Sequence, residues 1–496
     1  MKQSIPKTLY SAEQSRQLDR IAIEQFAIPG ISLMKRAGKA ALQCLLQQWP
    51  QPEHITVFCG GGNNSGDGYI VAGLALQEHL PVTLYYLSEP QSLTGDAALA
   101  RDFAQQAGVN VQPFTAKAAI KGIVVDAMLG TGTHGAPRDH YSAAIDAIGN
   151  ARLPVLAIDV PSGLNADTGA APGAVIRADH TITFISVKQG LVTGKGPALC
   201  GELHFNALDI PPAAYAQVKT HRYVINYQPL PPRDVDAHKG SFGHVLVVGG
   251  DIGMGGAVTM AAEAAARCGS GLVSVATRAE HINAILARRP EIMVKGVTTN
   301  ADDVIPLLNR ASVVVIGPGL GQSEWSQVLL NKVLATKVPK VVDADALNLM
   351  AAEAPTQMHR DDHWVLTPHP GEAARLLACD VSDVQNDRYN AAAKLQHIRG
   401  GVTVLKGVGT VVAGTTNIGI CRAGNPGMAT GGMGDVLSGV IAALIAQGLS
   451  LQAAAECGVQ IHAMAADRAA RRGQRGLLAT DLMPHLRSLV NGLCKH

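Results

Sequence analysis

Short, largely apolar runs, several of them stopping at a loop rich in glycine or aspartate, recur along this chain and restrict its fold more than any other feature. In the first half they stand at His54–Cys59, Val82–Leu87, Gly122–Asp126, Pro154–Asp159 and Thr181–Ile185, with helical patterns such as Gly66–Gln77 and Thr94–Gln106 between them. Runs of this kind fit strands buried on both faces, and alternation with helices predicts parallel strands joined by right-handed crossovers. The rhythm breaks between about Leu208 and Asp236, where Pro211, Pro212, Pro229, Pro231 and Pro232 fall. Proline fixes φ and removes an N–H donor, so the stretch reads as a connector. A boundary near residue 222 divides the chain into domains 1–222 and 223–496. The second half restarts the pattern with strand Val245–Gly250, the alanine-rich helix Met254–Cys268, and the strand-to-loop strings VVVIGPGLG, KVVDADALN and WVLTPHPGE. The expected fold is α/β: two three-layer αβα domains, the first a doubly wound sheet.

A chain of 496 residues with a formal net charge of +2 has no extended basic surface, so no nucleic-acid partner is expected. The eight cysteines (Cys44, Cys59, Cys200, Cys268, Cys379, Cys421, Cys457 and Cys494) are scattered and form no CxxC pair. That pattern fits reduced, mostly buried thiols in a cytoplasmic protein. No two cysteines stand at metal-ligand spacing, so no zinc site is expected. The N-terminus lacks an apolar signal core and no run is long enough to span a bilayer, so no membrane role is expected.

Directly after the run His54–Cys59 comes Gly60-Gly61-Gly62-Asn63-Asn64-Ser65-Gly66-Asp67-Gly68. Glycines let backbone approach a ligand, and free N–H groups at a helix start hold anions. A tight strand–helix turn uses the same residues, but the dense Asn-Asn-x-Gly-Asp-Gly string favours a site. Its glycine spacing matches neither a dinucleotide fingerprint nor a P-loop. Asp126 closes one strand before Gly130-Thr131-Gly132-Thr133-His134-Gly135, and Asp159 closes another before Pro161-Ser162-Gly163. Either Asp alone suits an N-cap, but two of them with the Asn-rich loop converge on the edge where parallel sheets bind ligands. Lys188, after the next strand, reads equally as a surface charge or as part of an enclosed loop.

In the second half, Asn425 to Asp435 (NPGMATGGMGD) leads into helix Val436–Gln447. Consecutive glycine N–H groups at a helix N-terminus stabilise developing negative charge, and Asp435 in the first turn is placed to act as a base toward a hydroxyl. Lys406-Gly407-Val408-Gly409-Thr410 reads as a glycine hairpin whose cation suits a nucleotide phosphate, or as a plain turn. His369 is fixed in direction by Pro368 and Pro370. Gly317-Pro318-Gly319-Leu320-Gly321 is another strand-end turn. Asp343 and Asp345 face the same edge, or one of them caps the following helix. His462 reads as a packed helix residue.

These strings resemble two known families in order. Residues from about Ser11 to Leu208 resemble the Rossmann-like NAD(P)HX epimerase domain, through the Asn-rich loop, Asp126 with Gly-Thr-Gly, Asp-Val-Pro-Ser-Gly and Val-Lys-x-Gly-Leu. Residues from about His238 to Leu489 resemble the ribokinase-like, ADP-dependent NAD(P)HX dehydratase, through Gly-Pro-Gly-Leu-Gly, Asp-Ala-Asp-Ala-Leu-Asn, Thr-Pro-His-Pro-Gly-Glu and Gly-Gly-Met-Gly-Asp. NADHX and NADPHX are the hydrated forms of NADH and NADPH. The resemblance implies that Asn64, Asp126 and Ser162 bind K+ and that Asp159 and Lys188 are the epimerase acid–base pair. It implies substrate binding by Asn63, Asn64, Ser65, Gly66, Asp67, Gly130, Thr131, Gly132, Thr133, His134, Gly135, Ala136, Tyr141 and Asp159. In the second half it implies substrate binding by Ala257, Gly319, Gly321, His369 and Asp435, with Asp435 catalytic. The adenine nucleotide falls to Lys406, Gly407, Val408, Gly409, Thr410 and Gly434, with ADP (or ATP) as co-substrate and Mg2+ as cofactor. A homo-oligomer, tetramer or higher, is also implied. Ser65 departs from the family, which usually has Gly there, and a side chain disfavours positive φ.

The implied activity is epimerisation of the R and S hydrates followed by dehydration of the S form to NAD(P)H, giving AMP and phosphate. Two alternatives remain at this stage. The second half resembles kinases of small vitamin precursors through the same Gly-x-Gly-Asp ending, and the first half suits a non-catalytic binding module.

Overall fold

The computed structural model describes residues 5–352 and 359–492; Cys494 lies outside them. The chain forms two compact units, Met1–Tyr223 and Val224–His496.

The first unit contains strands β1 (Thr8–Tyr10), β2 (Ile55–Cys59), β3 (Val82–Tyr86), β4 (Asn110–Pro113), β5 (Ile123–Ala127), β6 (Val155–Ile158), β7 (His180–Phe184), β8 (Val187–Lys188) and β9 (Glu202–Asn206), with β10 (Arg222–Val224) at its end. A seven-stranded sheet has the order β4-β3-β2-β5-β6-β7-β9 and is parallel throughout. Alternate residues of one strand feed opposite cores. Val57, Leu84 and Val125 pack in one cluster with helices Gly30–Gln48 and Asn63–Gln77, while Phe58, Tyr85 and Val124 pack in another with Asp139–Ala151. That is the expected three-layer, doubly wound arrangement. The chain runs outward from β2 to β4 and returns to β5, so a crevice opens at the carboxyl ends of β2 and β5.

Strands β4 and β9 give no apolar run because they are the outer strands and only partly buried. The expected connector after Leu208 is not structureless. It holds the short helix Pro212–Tyr215 and β10, which pairs antiparallel with β1 at Thr8↔Tyr223 and Leu9↔Arg222. On its other side β1 pairs parallel with β8, Tyr10 against Lys188, which fixes the backbone of that lysine.

The second unit contains β11 (His244–Val248), β12 (Leu272–Thr277), β13 (Met293–Gly296), β14 (Val313–Ile316), β15 (Lys340–Val342), β16 (Trp364–Leu366), β17 (Val402–Leu405), β18 (Thr410–Ala413) and β19 (Ile418–Cys421). Their order is β13-β12-β11-β14-β15-β16-β17-β18-β19, parallel as far as β17 and antiparallel beyond it. Val245 and Val313 face helices Gly255–Arg267 and Met433–Ala446, while Leu246 and Val314 are equally buried on the other face. The order reverses between β11 and β14, which places a second crevice at their carboxyl ends. No described helix is long and apolar enough to cross a membrane.

The helix pair beside this crevice is unusually close. A Cβ at Gly439 would meet the Ala261 carbonyl oxygen at 2.0 Å. In an ordinary helix Gly→Ala gains up to about 1 kcal/mol. Here Gly439→Ala should instead destabilise the second unit by about 1–3 kcal/mol, because the helices must part. A thermal melt that rises with this substitution would contradict the packing.

Candidate active sites at two strand edges

The crevice of the first unit holds a cavity of about 960 Å3. Its walls include Asn63, Asn64, Asp67, Gly130, Thr131, Gly132, Thr133, His134, Ala136, Tyr141, Asp159 and Lys188. Most of the residues singled out in this half of the sequence therefore meet in one place.

Asp159 follows β6 and adopts a left-handed backbone, φ +65°. Its Oδ1 accepts from the Thr183 hydroxyl (3.0 Å), from the Phe184 N–H (3.2 Å) and from the Lys188 ammonium. The ammonium also donates to the Phe184 carbonyl (2.9 Å) and the Thr183 hydroxyl (3.2 Å). Lys188 is thus no surface charge: its side chain is 2% exposed and neutralised by the aspartate. A lysine beside an aspartate at the wall of a cavity is an arrangement for moving a proton.

Behind the wall lies a second cluster. Asp126 accepts from the Ser162 hydroxyl (2.5 Å), from the Ser162 N–H (2.8 Å) and from the Met128 N–H (3.2 Å). Burial lifts its carboxyl to about 6, against the lowering effect of those donors. The Asn64 amide donates to the Leu129 carbonyl (3.1 Å), while its buried carbonyl oxygen Oδ1 has no hydrogen-bond partner. Asn64 and Ser162 share the Leu129 carbonyl and Ser162 bonds Asp126, so an orphaned carbonyl oxygen, a hydroxyl and a carboxylate belong to one cluster, donor types that suit a hard cation.

Three of the residues that the resemblance assigns to substrate binding do not line the cavity: Ser65, Gly66 and Gly135. Helix Asn63–Gln77 starts three residues earlier than its apolar pattern, so Ser65 lies in the first turn rather than in a loop. It needs no positive φ, and its hydroxyl donates to the Gly62 carbonyl. Gly66 serves packing: a Cβ there would meet Met34 Sδ at 2.4 Å and Ala97 Cα at 3.2 Å.

Sequence reasoning missed Asp19. Ser15, Asp19 and Ile23 line the cavity from one face of helix Ala12–Glu24 at i, i+4, i+8 spacing. Burial lifts the Asp19 carboxyl to about 6, with Lys188 opposing and Asp159 adding to the shift. Burial and the charges of Asp159 and Asp19 push Asp67 well above the carboxylate range. An Asp in the middle of a mixed helix gives no sequence signal.

In the second unit Asp343 follows β15. Its Oδ1 accepts from Lys406 Nζ (2.7 Å) and its Oδ2 from the Ser438 hydroxyl (2.8 Å). Burial opposes the charge, but Lys406 and the Ser438 and Thr367 hydroxyls outweigh it and hold the carboxyl below its ordinary value. Asp345 accepts from the Gly321 N–H (2.8 Å). Neither aspartate makes a capping bond to the helix Ala344–Ala351, contrary to the simpler reading of the string. Lys406 does stand after β17, but its cation turns inward to Asp343, with Glu372 at 3.8 Å, rather than sitting on the hairpin tip. Gly407, Val408 and Gly409 form that tip, with Gly407 at φ +133° and Gly409 at φ +62°, and Thr410 opens β18.

Gly432 caps helix Met433–Ala446 at φ +87°, and Asp435 sits in the first turn. A Cβ at Gly434 would lie 3.2 Å from Lys406 Nζ, so the glycine string and the hairpin lysine are neighbours. Burial and then Asp343 lift the Asp435 carboxyl to about 7, Lys406 opposing and Asp345 adding. That value suits a base working near neutrality. His369 caps helix Pro370–Leu377: its Nδ1 accepts from the Gly371 N–H (3.0 Å), while Glu372 bonds back to the His369 N–H (2.7 Å). Glu372, which the sequence did not single out, is lifted by burial to about 7, with Lys406 opposing and Asp343 adding. Ala257 and Gly319 are in close contact, since a Cβ on Gly319 would lie 3.1 Å from that of Ala257. His462 is packed in helix Leu451–Ala469, and burial drops it to about 4.

Residues 30–190 match the family model described as YjeF-related protein N-terminus, and residues 245–487 match that of NAD(P)H-hydrate dehydratase. The chain is 53% identical to the bifunctional NAD(P)H-hydrate repair enzyme Nnr of Coxiella burnetii, over 97% of this chain and 99% of that one. It is 46% identical to the protein of the same name from Escherichia coli, over 98% and 95%. A solved structure of the Bacillus subtilis ADP/ATP-dependent NAD(P)H-hydrate dehydratase, co-crystallised with ATP/Mg2+, is 29% identical and covers 53% of this chain and 93% of its own, with a TM-score of 0.47.

The Lys406–Asp343 pair has a measurable consequence. Asp343→Asn removes the main partner of a largely buried cation and should cost the second unit about 3 kcal/mol in denaturant unfolding. Adding Lys406→Met should recover part of that loss. A double variant no more stable than Asp343→Asn would show that the charge is not the cause.

Proposed function

The chain belongs to the bifunctional NAD(P)H-hydrate repair enzymes, and from that premise we propose that it carries out both repair steps: the first unit interconverts the R and S hydrates, and the second dehydrates the S form at the expense of ADP. The observation that carries this reading is the Asp159–Lys188 pair at the cavity wall, since a binding module has no use for it.

In the first unit the proton shared along that pair goes from Asp159 to the ring hydroxyl. Water leaves with the C–O electron pair, the ring nitrogen lone pair supporting the cation. Water then adds to the other face and returns the proton to Asp159. The contacts to Lys188, Thr183 and Phe184 all fall on Oδ1, which leaves Oδ2 for the exchange. Asn64, Asp126 and Ser162 would hold K+, for which the orphaned Asn64 oxygen is the supporting observation; the ion would supply fixed positive charge beside the substrate.

In the second unit Asp435 takes the proton from the S-hydrate hydroxyl. The oxygen attacks the β-phosphorus of ADP, and the bond to AMP breaks. The N–H groups of Gly431 to Gly434 stabilise the transferring charge at the helix N-terminus. The ring nitrogen then expels phosphate, and loss of a neighbouring ring proton restores NAD(P)H. The hairpin Gly407 to Thr410, with Lys406 and Gly434, would hold the adenine nucleotide, and Mg2+ bound with it would supply positive charge against the transferring phosphoryl group.

The test is recovery of the NADH absorbance band from an R/S mixture of NADHX with ADP, magnesium and potassium. Recovery beyond the S fraction is expected. Recovery that stops there would reduce the first unit to a binding module, and a stable phosphorylated product would make the second unit a kinase. Asp435 must be ionised to act as base, so kcat/KM for dehydration should fall as the pH drops through about 7 and level off above it. Asp435→Asn should lower dehydration by about 10^2–10^4-fold. Asn64→Leu should make epimerisation indifferent to potassium while dehydration is unchanged.

A further inference from the structure

At the amino ends of β7 and β9, His180, Glu202 and His204 meet. The strands are parallel, with His180 opposite Glu202 and Ile182 opposite His204, so all three side chains leave the same face. His180 Nδ1 lies 3.0 Å from His204 Nε2 and 3.9 Å from Glu202 Oε2. One nitrogen or oxygen of each residue falls within 4.8 Å of the other two. The cavity lies at the opposite end of β7, four residues along, or about 13 Å away at the usual rise.

We propose that this trio binds a divalent transition-metal ion of borderline softness, Zn(II) being the reference case. Two imidazole nitrogens and one carboxylate oxygen are a ligand set such ions take, with remaining positions open to water. Nitrogens 3.0 Å apart can both sit about 2.1 Å from one ion at an angle near 90°, and the carboxylate oxygen lies 3.9 Å from the His180 nitrogen, within the roughly 4.2 Å that two such bonds span. The ligands stand on rigid strands, and the edge of the Trp49 ring packs on His180, centroids 5.0 Å apart at 83°, which orients that imidazole. β9 is the outer strand of its sheet, so the ion would clamp it to β7. Ligand spacing along the sequence could not reveal the site, because the two histidines are 24 residues apart and meet only through strand pairing.

The test uses the full chain, stripped with a chelator and then titrated with Zn(II). One ion per chain is expected, with affinity falling at least roughly 10-fold in His204→Asn and in Glu202→Gln, since loss of a direct ligand should cost no less than loss of a supporting partner. Glu202 is half exposed, so Glu202→Gln should fold normally even if the histidine variant does not. Co(II) should quench part of the tryptophan emission, and that part should vanish in Trp49→Phe. Absence of binding to the wild-type chain, or binding of equal strength in both ligand variants, would overturn the proposal.

Discussion

In each unit a lysine is drawn out of water against an aspartate that follows a parallel strand: Lys188 with Asp159 after β6, Lys406 with Asp343 after β15. Taking an ammonium group out of water costs several kcal/mol, so each lysine must be matched by a fixed anion with good geometry. The sheet supplies that fixity, since each aspartate stands one residue past a buried strand. What surrounds the pairs follows from the same requirement. Thr183 and the Phe184 N–H complete the donors on Asp159, while Ser438 adds to Lys406 on Asp343.

The pairs also sort the remaining carboxyl groups. Asp343 keeps its charge because its partners outweigh burial, whereas Asp435 and Glu372, close to the same lysine but less fully matched, are lifted toward neutrality. The first unit repeats the pattern with Asp19 and Asp67 raised beside the Asp159–Lys188 pair. One cation cannot hold several anions in a small desolvated volume, so some must carry protons. Each edge therefore holds a lysine–aspartate ion pair with further carboxyl groups lifted toward neutrality beside it.

The parts of this arrangement legible in the sequence were those tied to strand ends. Asp126, Asp159 and Asp435 were found because an apolar run or glycine string points at them. Lys188 was ambiguous because its burial depends on β1, a strand of three residues whose partner β10 lies in the proline-rich stretch that reads as a connector. Asp19 was invisible because a helix face has no marker for the cavity it meets. The glycines were only half readable. Gly432 provides a left-handed cap at the site, while Gly66 makes room for Met34 and Ala97, and composition does not separate the two uses.

Backbone strain at these edges fits the same logic. Asp159 and Ile185, both on the cavity wall, have left-handed φ values of +65° and +62°, and Ala344, next to Asp343, has +48°. Such conformations cost non-glycine residues on the order of 1–3 kcal/mol each, and more for a β-branched side chain such as isoleucine. They persist where surrounding bonds over-determine them. The Ile185 N–H is held by the Asn206 carbonyl and its own carbonyl by the Tyr215 hydroxyl, so the residue is pinned on both sides. That turn brings the chain from β7 to Lys188 within one short step. A relaxed turn would carry the lysine away from Asp159 and leave two charges unmatched. Aspartate tolerates the left-handed region better than most residues, so at position 159 the side chain needed for the charge is also one the backbone accepts.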